Sequence, residues 1–138
     1  MSTADLGTKP RPRRILLVDD SPEGRGALSR LLTLTGFDVL AVPDGTSAVL
    51  TLRDGLAPDV VLTDLLLPDI DGRQVAWHAR RLAPLACVVL ITGWDVDLSD
   101  PHPEGGDAFD RVFLTPLDTR ELVTYLRECQ PAGAGVPE

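Results

Sequence analysis

The sequence predicts a doubly wound α/β domain, a five-stranded parallel sheet with helices on both faces. Three observations carry that prediction. Short apolar, largely β-branched runs recur along the chain, the pattern of strands buried on both faces. Helical patterns with recognisable caps separate them. Three of the runs end on carboxylates or a hydroxyl, at Asp19-Asp20, Asp64 and Thr92. The carboxyl edge of such a sheet is where ligands and chemistry collect.

The first strand is Ile15 to Val18, and it delivers Asp19-Asp20. Ser21 suits a helix N-cap and Pro22 the first helical position. The stripe of that helix is Leu28, Leu31, Leu32 and Leu34, and Gly36 ends it. Phe37 to Val42 is a second strand. Asp44-Gly45-Thr46 then turns into a short helix with Ala48, Val49 and Leu52 inward. Pro58 precedes the third strand, Val60 to Asp64, which is followed by a short apolar stretch, Pro68 and the turn chemistry of Asp71-Gly72.

A third helix runs from about Arg73 to Ala83, with Val75, Ala76, Ala79 and Leu82 on one side and Pro84 as its stop. Ala86 to Ile91 is the fourth strand, closing on Thr92-Gly93. Residues 94–108 hold Pro101, Pro103, Gly105 and Gly106, so the expected fourth helix is short or replaced by a loop. Arg111 to Thr115 is the fifth strand and Pro116 follows. Asp118-Thr119-Arg120-Glu121 fits a capping box that opens a last helix with Leu122, Val123, Tyr125 and Leu126. The expected organisation is a flexible arm (1–13), one domain (14–129) and a flexible tail (130–138).

At 138 residues the chain can bury one proper core. Thirteen Lys and Arg against 21 Asp and Glu give a net charge of −8. That argues against direct binding of nucleic acid or anionic membrane, which both call for positive charge. No signal peptide and no membrane-spanning run is apparent, so the expected location is the cytoplasm. Cys87 and Cys129 are too few for a disulfide framework and read as buried or bystander thiols.

With the first strand central and the order 2-1-3-4-5, strands one, three and four are neighbours. Asp19, Asp20, Asp64 and Thr92 then converge. Two unit charges about 4 Å apart repel by ~1 to 4 kcal/mol across water-like to surface-like dielectrics. A raised pKa or a cation must offset that, and Mg²⁺ fits best, since it takes oxygen ligands and tolerates one or two carboxylates beside waters and a phosphoryl group. An Asp beside bound Mg²⁺ is a competent nucleophile toward phosphorus. The bland alternative is that strand-end acids merely cap helices and turns; the joint arrangement weighs against it.

Four stretches, I-L-L-V-D-D-S-P (15–22), D-L-L-L-P-D-I-D-G (64–72), V-L-I-T-G-W (89–94) and F-D-R-V-F-L-T-P-L-D (109–118), taken in order, resemble the receiver domain of two-component response regulators. The likeness covers about residues 13–129. It implies a flavodoxin-like receiver fold and makes Asp64 the phosphoacceptor, served by a histidine kinase or a histidine phosphotransfer protein. It also implies a Mg²⁺ site in which Asp20 binds directly, Asp19 through water, and Asp64 and the backbone carbonyl of Leu66 complete the protein ligands. Thr92 matches the hydroxyl that contacts the phosphoryl group and starts the switch, and Gly93 the small residue that keeps the nucleophile accessible.

Two positions depart from that pattern. Thr115 stands where the family has a lysine, and the chain's only Lys is Lys9. Val112 stands where the family has its switch aromatic, while the adjacent Phe113 faces the other side of the sheet. Together with the poor fourth helix, these imply an atypical receiver with an altered output surface. The resulting expectation is a stand-alone receiver, not a conventional enzyme, that signals through contact with an unidentified downstream protein or as a homodimer.

Two alternatives stay open. One is a phosphorylation-independent pseudo-receiver that serves as a docking module, favoured by Thr115 and Val112. The other is a phosphohydrolase of the haloacid dehalogenase type. It ranks far behind, because that class needs an acid where Leu66 stands. Among smaller features, His78 reads as a structural helical residue. Trp94 is either a gate beside Thr92 or plain packing. Asp95, Asp97, Asp100 and Glu104 read as a solvated acidic loop whose spacing matches no Ca²⁺ site.

Overall fold

Each strand of the sheet runs parallel to its neighbours. In the computed structural model, which describes residues 11–93 and 109–131, β1 (Arg14–Val18) lies between β2 (Asp38–Val42) and β3 (Val60–Asp64). β4 (Cys87–Thr92) pairs with β3, and β5 (Arg111–Leu114) forms the far edge, so the order is β2-β1-β3-β4-β5. This is the expected doubly wound sheet. The 94–108 segment, with Trp94, the acids at 95, 97, 100 and 104 and the place of the expected short helix or loop, lies outside the described residues.

Strand parity divides the core. Ile15, Leu17, Val60, Leu62, Val89 and Phe113 face one way and pack under α1 (Pro22–Leu34) and α4 (Thr119–Glu128), which contribute Leu32, Leu122 and Leu126. Leu16, Val18, Val61 and Val88 face the other way, under α2 (Gly45–Arg53) and α3 (Gly72–Leu82), with Ala48, Leu52, Val75, Ala76 and Ala79. Truncating a fully buried leucine such as Leu32 or Leu122 would cost about 2–5 kcal/mol.

Local chemistry sets the helix starts. Ser21 Oγ accepts from the Gly24 N–H at 3.1 Å, with Pro22 in the first turn as expected. Asp71 and Gln74 close a full capping box at the head of α3. At α4 Asp118 accepts from the Glu121 N–H at 3.1 Å, while the Glu121 carboxylate pairs with Arg111 at 2.9 Å.

Two expected inward residues face water. Leu34 is 72 % exposed, because at 100° per residue it lies on the opposite side of α1 from Leu32. Leu82, the last residue of α3, is 39 % exposed and lies beside Leu85 at the lower edge of the sheet. Arg13, expected in the arm, is instead held by the fold. It donates to the carbonyls of Leu126 (2.9 Å) and Cys129 (2.8 Å), the favourable place for a cation at a helix C-terminus. Both thiols are free and buried, as expected. No helix among the described residues is long and apolar enough to cross a membrane.

Candidate functional site

The parallel register brings the strand ends together. Val18 pairs with Thr63, and Asp64 with Ile91, so Asp19 and Asp20 leave β1 beside Asp64. One carboxylate oxygen from each of Asp19, Asp20 and Asp64 lies within 4.8 Å of the others. Asp19 is tied down: its N–H donates to the Val42 carbonyl at 3.1 Å, and its Oδ1 accepts from the Ser21 N–H at 2.9 Å. Asp20 is exposed and Asp64 half-buried.

Crowding shows in the acid strength of Asp64. Its pKa is pushed up to about 8, first by burial, then by a hydrogen bond that its protonated form donates to Asp19 and by the charges of Asp19 and Asp20. The donor set is all oxygen, the preference of a hard divalent cation, and it fits Mg²⁺. Among the described residues, the holders would be Asp19, Asp20 and Asp64. Leu66, the expected carbonyl ligand, lies two residues beyond Asp64, with its side chain 70 % exposed.

A cavity of about 330 Å³ opens beside the cluster, bordered by Asp64, Leu66, Thr92, Gly93 and Thr115. Thr92 ends β4 and is nearly buried, and its carbonyl accepts from the Thr115 N–H at 3.0 Å. The Thr115–Pro116 peptide is cis. The fold therefore gathers Asp19, Asp20, Asp64, Leu66, Thr92, Gly93 and Thr115 at one edge. Val112 is half-buried on β5, while Phe113 is buried edge-on against Tyr125 at 5.7 Å on the α1/α4 side. His78 is half-buried and packs edge-on against Trp77 at 4.9 Å.

Sequence reasoning missed the residues that hold the site in place. Asp69 accepts from the N–H groups of Gly45 (3.0 Å) and Thr46 (2.8 Å), tying the loop after β3 to α2. Gly72 donates to the Leu65 carbonyl at 2.7 Å, so closely that a Cβ there would collide with the Asp64 carbonyl. A Cβ at Gly24 would sit 2.9 Å from Asp19 Oδ2. The Asp-Gly pair at 71–72 was a usable signal, read only as a turn. Nothing local marked Asp69.

Comparison with known proteins agrees with this geometry. The family model described as the response regulator receiver domain matches residues 15–126. The transcriptional regulatory protein TrcR of Mycobacterium tuberculosis is 32 % identical over 133 residues, covering 90 % of this chain and 50 % of TrcR. The DNA-binding response regulator MtrA of Mycolicibacterium smegmatis is 34 % identical over 116 residues, covering 83 % and 49 %. The chain thus spans about half the length of these curated relatives.

Among solved structures, a response regulator receiver protein from Sinorhizobium medicae superposes with a TM-score of 0.72 at 32 % identity, over 84 % of this chain and 92 % of that one. The response regulator TrrA of Thermotoga maritima, in complex with Mg²⁺ and beryllofluoride, gives 0.73 at 28 % identity, over 83 % and 96 %. Fold, site geometry and family model coincide on the same residues: this chain belongs to the receiver domains of two-component response regulators.

Proposed function

We propose that this chain accepts a phosphoryl group on Asp64 and signals by contact with another protein. The observation that carries the reading is the convergence of Asp19, Asp20 and Asp64 beside an open cavity bordered by Thr92 and Thr115. An ionised Asp64 oxygen attacks the phosphorus of a phosphohistidine on a kinase or phosphotransfer protein. The new O–P bond replaces the N–P bond, and the imidazole leaves with a proton from solvent. Bound Mg²⁺ would neutralise charge on the transferring group.

The chain's own residues do the rest. Asp19 and Asp20 would hold the cation beside Asp64, Gly93 keeps the approach open, and the hydroxyls of Thr92 and Thr115 serve the phosphoryl oxygens. The Leu66 carbonyl would complete the ligand set. The organisation that goes with this reading is a receiver domain at 14–129, working in the cytoplasm.

The test is intact mass after incubation with Mg²⁺ and acetyl phosphate. An adduct on the parent and none on Asp64→Ala is the expected result; no adduct on a parent that still binds Mg²⁺ would overturn it. The second reading, a docking module that does not use phosphorylation as its signal, draws on Thr115 and Val112. It predicts that beryllofluoride leaves the β5 face unchanged.

A further inference from the structure

The Asp64 site has a second opening. A cleft of about 290 Å³ enters between α1 and the segment that leads into α4. Asp64, Ile91 and Thr115 border both this cleft and the cavity beside Thr92, so the two spaces meet at the acceptor. The cleft walls are hydrocarbon, from Ala27, Leu28 and Leu31 on α1 and from Leu117 across from them. Its inner end is Asp19 and Asp64.

That lining selects a guest. Apolar walls ending on carboxylates repel an anion and leave a neutral apolar guest facing acids it cannot answer. They suit a hydrocarbon stem with a cationic head. The site also needs such a charge: once Asp64 is phosphorylated, one divalent ion does not balance two carboxylates and an acyl phosphate. No Lys or Arg is among the described residues that border either space. Arg25, in the first turns of α1, donates instead to the Asp19 main-chain carbonyl at 2.9 Å.

We propose that this cleft receives a lysine side chain presented by a protein partner. Its methylenes lie along Leu28, Leu31 and Leu117, and its ammonium reaches Asp64 and Thr115. The partner thereby supplies in trans the positive charge that steadies the phosphorylated site. Lysine suits the place better than arginine, because its unbranched stem follows the apolar walls and ends in a compact point charge, where a planar guanidinium fork is bulkier. The inference rests on Asp64 as phosphoacceptor, and it explains how a chain with Thr115 at this position can hold a phosphoryl group while a partner is bound.

The probe is N-acetyl-lysine methylamide, with N-acetyl-norleucine methylamide as the uncharged control, on the full chain at constant ionic strength. The first reading is methyl NMR in Mg²⁺ alone. The lysine probe should shift Leu28, Leu31, Leu117 and Thr115, and the norleucine probe should not. The second reading is the affinity of the Mg²⁺-bound chain for beryllofluoride. The lysine probe should raise it about fivefold, the order of one charge-assisted hydrogen bond at partial occupancy. Thr115→Lys should raise it without the probe and abolish the probe's effect.

Equal shifts with norleucine, or no shift with either, would overturn the proposal. So would a lysine effect undiminished in Thr115→Lys. A loss of beryllofluoride affinity in Lys9→Ala would also overturn it, by assigning the cleft to the chain's own lysine. Failure of beryllofluoride to bind under any condition would count against the phosphoacceptor reading, and the methyl shifts would still decide the cleft.

Discussion

Asp69 holds Gly45 across a loop: its Oδ1 accepts the Gly45 N–H at 3.0 Å, and its Oδ2 takes the neighbouring Thr46 N–H at 2.8 Å. Asp44 serves the next two donors of α2, Ser47 through its side chain and Ala48 through its carbonyl. The N–H groups of Gly45, Thr46 and Ser47, which a helix ordinarily leaves to water, are all answered, two of the three from the loop that follows β3. Burial pushes the Asp69 pKa up, but hydrogen bonds from Thr46, Ile70 and Gly45 outweigh it and hold the carboxyl well below the usual range.

Asp69→Ala should therefore lower stability by about 1–2 kcal/mol, the range of a lost helix cap. The sign with pH follows from the depressed folded pKa. The contribution is fully present above the unfolded value near 4 and is lost as pH falls through and below it. Urea denaturation should separate parent and variant at pH 7, with the gap narrowing as the pH is taken below 4. A gap that persists unchanged in acid would assign the effect to packing.

Asp64 behaves in the opposite sense. Its folded pKa is raised to about 8, so in the metal-free chain the folded state keeps a proton that the unfolded chain has released. Stability in EDTA should be full below pH 4 and fall as pH rises towards 8. Mg²⁺ must displace that proton, so its affinity should climb over the same window, with proton uptake by the buffer visible in calorimetry. Asp64→Asn should flatten the metal-free stability profile.

Gly72→Ala tests the tight packing behind Asp64. In an open helix the change would help by up to about 1 kcal/mol. Here the new methyl meets main-chain atoms of Asp64 and Leu65, which cannot rotate away. A net loss of about 1–3 kcal/mol is expected. Mg²⁺ affinity should fall with it, because the displaced backbone carries two of the expected ligands. Unchanged Mg²⁺ affinity would show that the backbone shift stops short of the Asp64 carboxylate.

Charged pairs should divide by burial. The Asp110 side chain is 4 % exposed and receives the Val88 N–H at 2.7 Å and the Arg80 guanidinium at 3.0 Å. Arg80→Ala removes one partner of that buried carboxylate and should cost about 1.5–3 kcal/mol, the range of a hydrogen bond to a charged group. The exposed Arg14–Asp38 pair at 3.3 Å should be worth well under 1 kcal/mol on cutting Asp38→Ala. Thermal unfolding at low and high salt distinguishes them, since only the exposed pair is screened.

The sheet was legible because its signals are local. Continuous apolar runs such as Val60 to Leu62 and caps such as Ser21-Pro22 say what they are within a few residues. The acid cluster was legible because a parallel order places strand ends side by side, and Asp19, Asp20 and Asp64 each close a strand. What escaped depends on contacts between distant segments. Asp69 looks like any loop acid until α2 is set against it. The need for glycine at 72 lies in the position of the Asp64 carbonyl, and Leu34 seemed apolar enough to be inward until helical rotation carried it away. The cleft under α1 is likewise a property of two helices and a loop, and no short run of sequence contains it.

The grip of Arg13 on Leu126 and Cys129 brings the head of β1 and the end of α4 to one place. A fold whose first strand begins where its last helix ends can be closed into a ring and cut elsewhere with little change to its contacts. A circular permutant that joins residue 130 to residue 12 by a short Gly-Ser bridge, with new termini at the exposed turn of Asp54-Gly55, should keep all five strands in register. It would place both free ends away from the cleft between α1 and α4 and so leave that entrance clear for fusions.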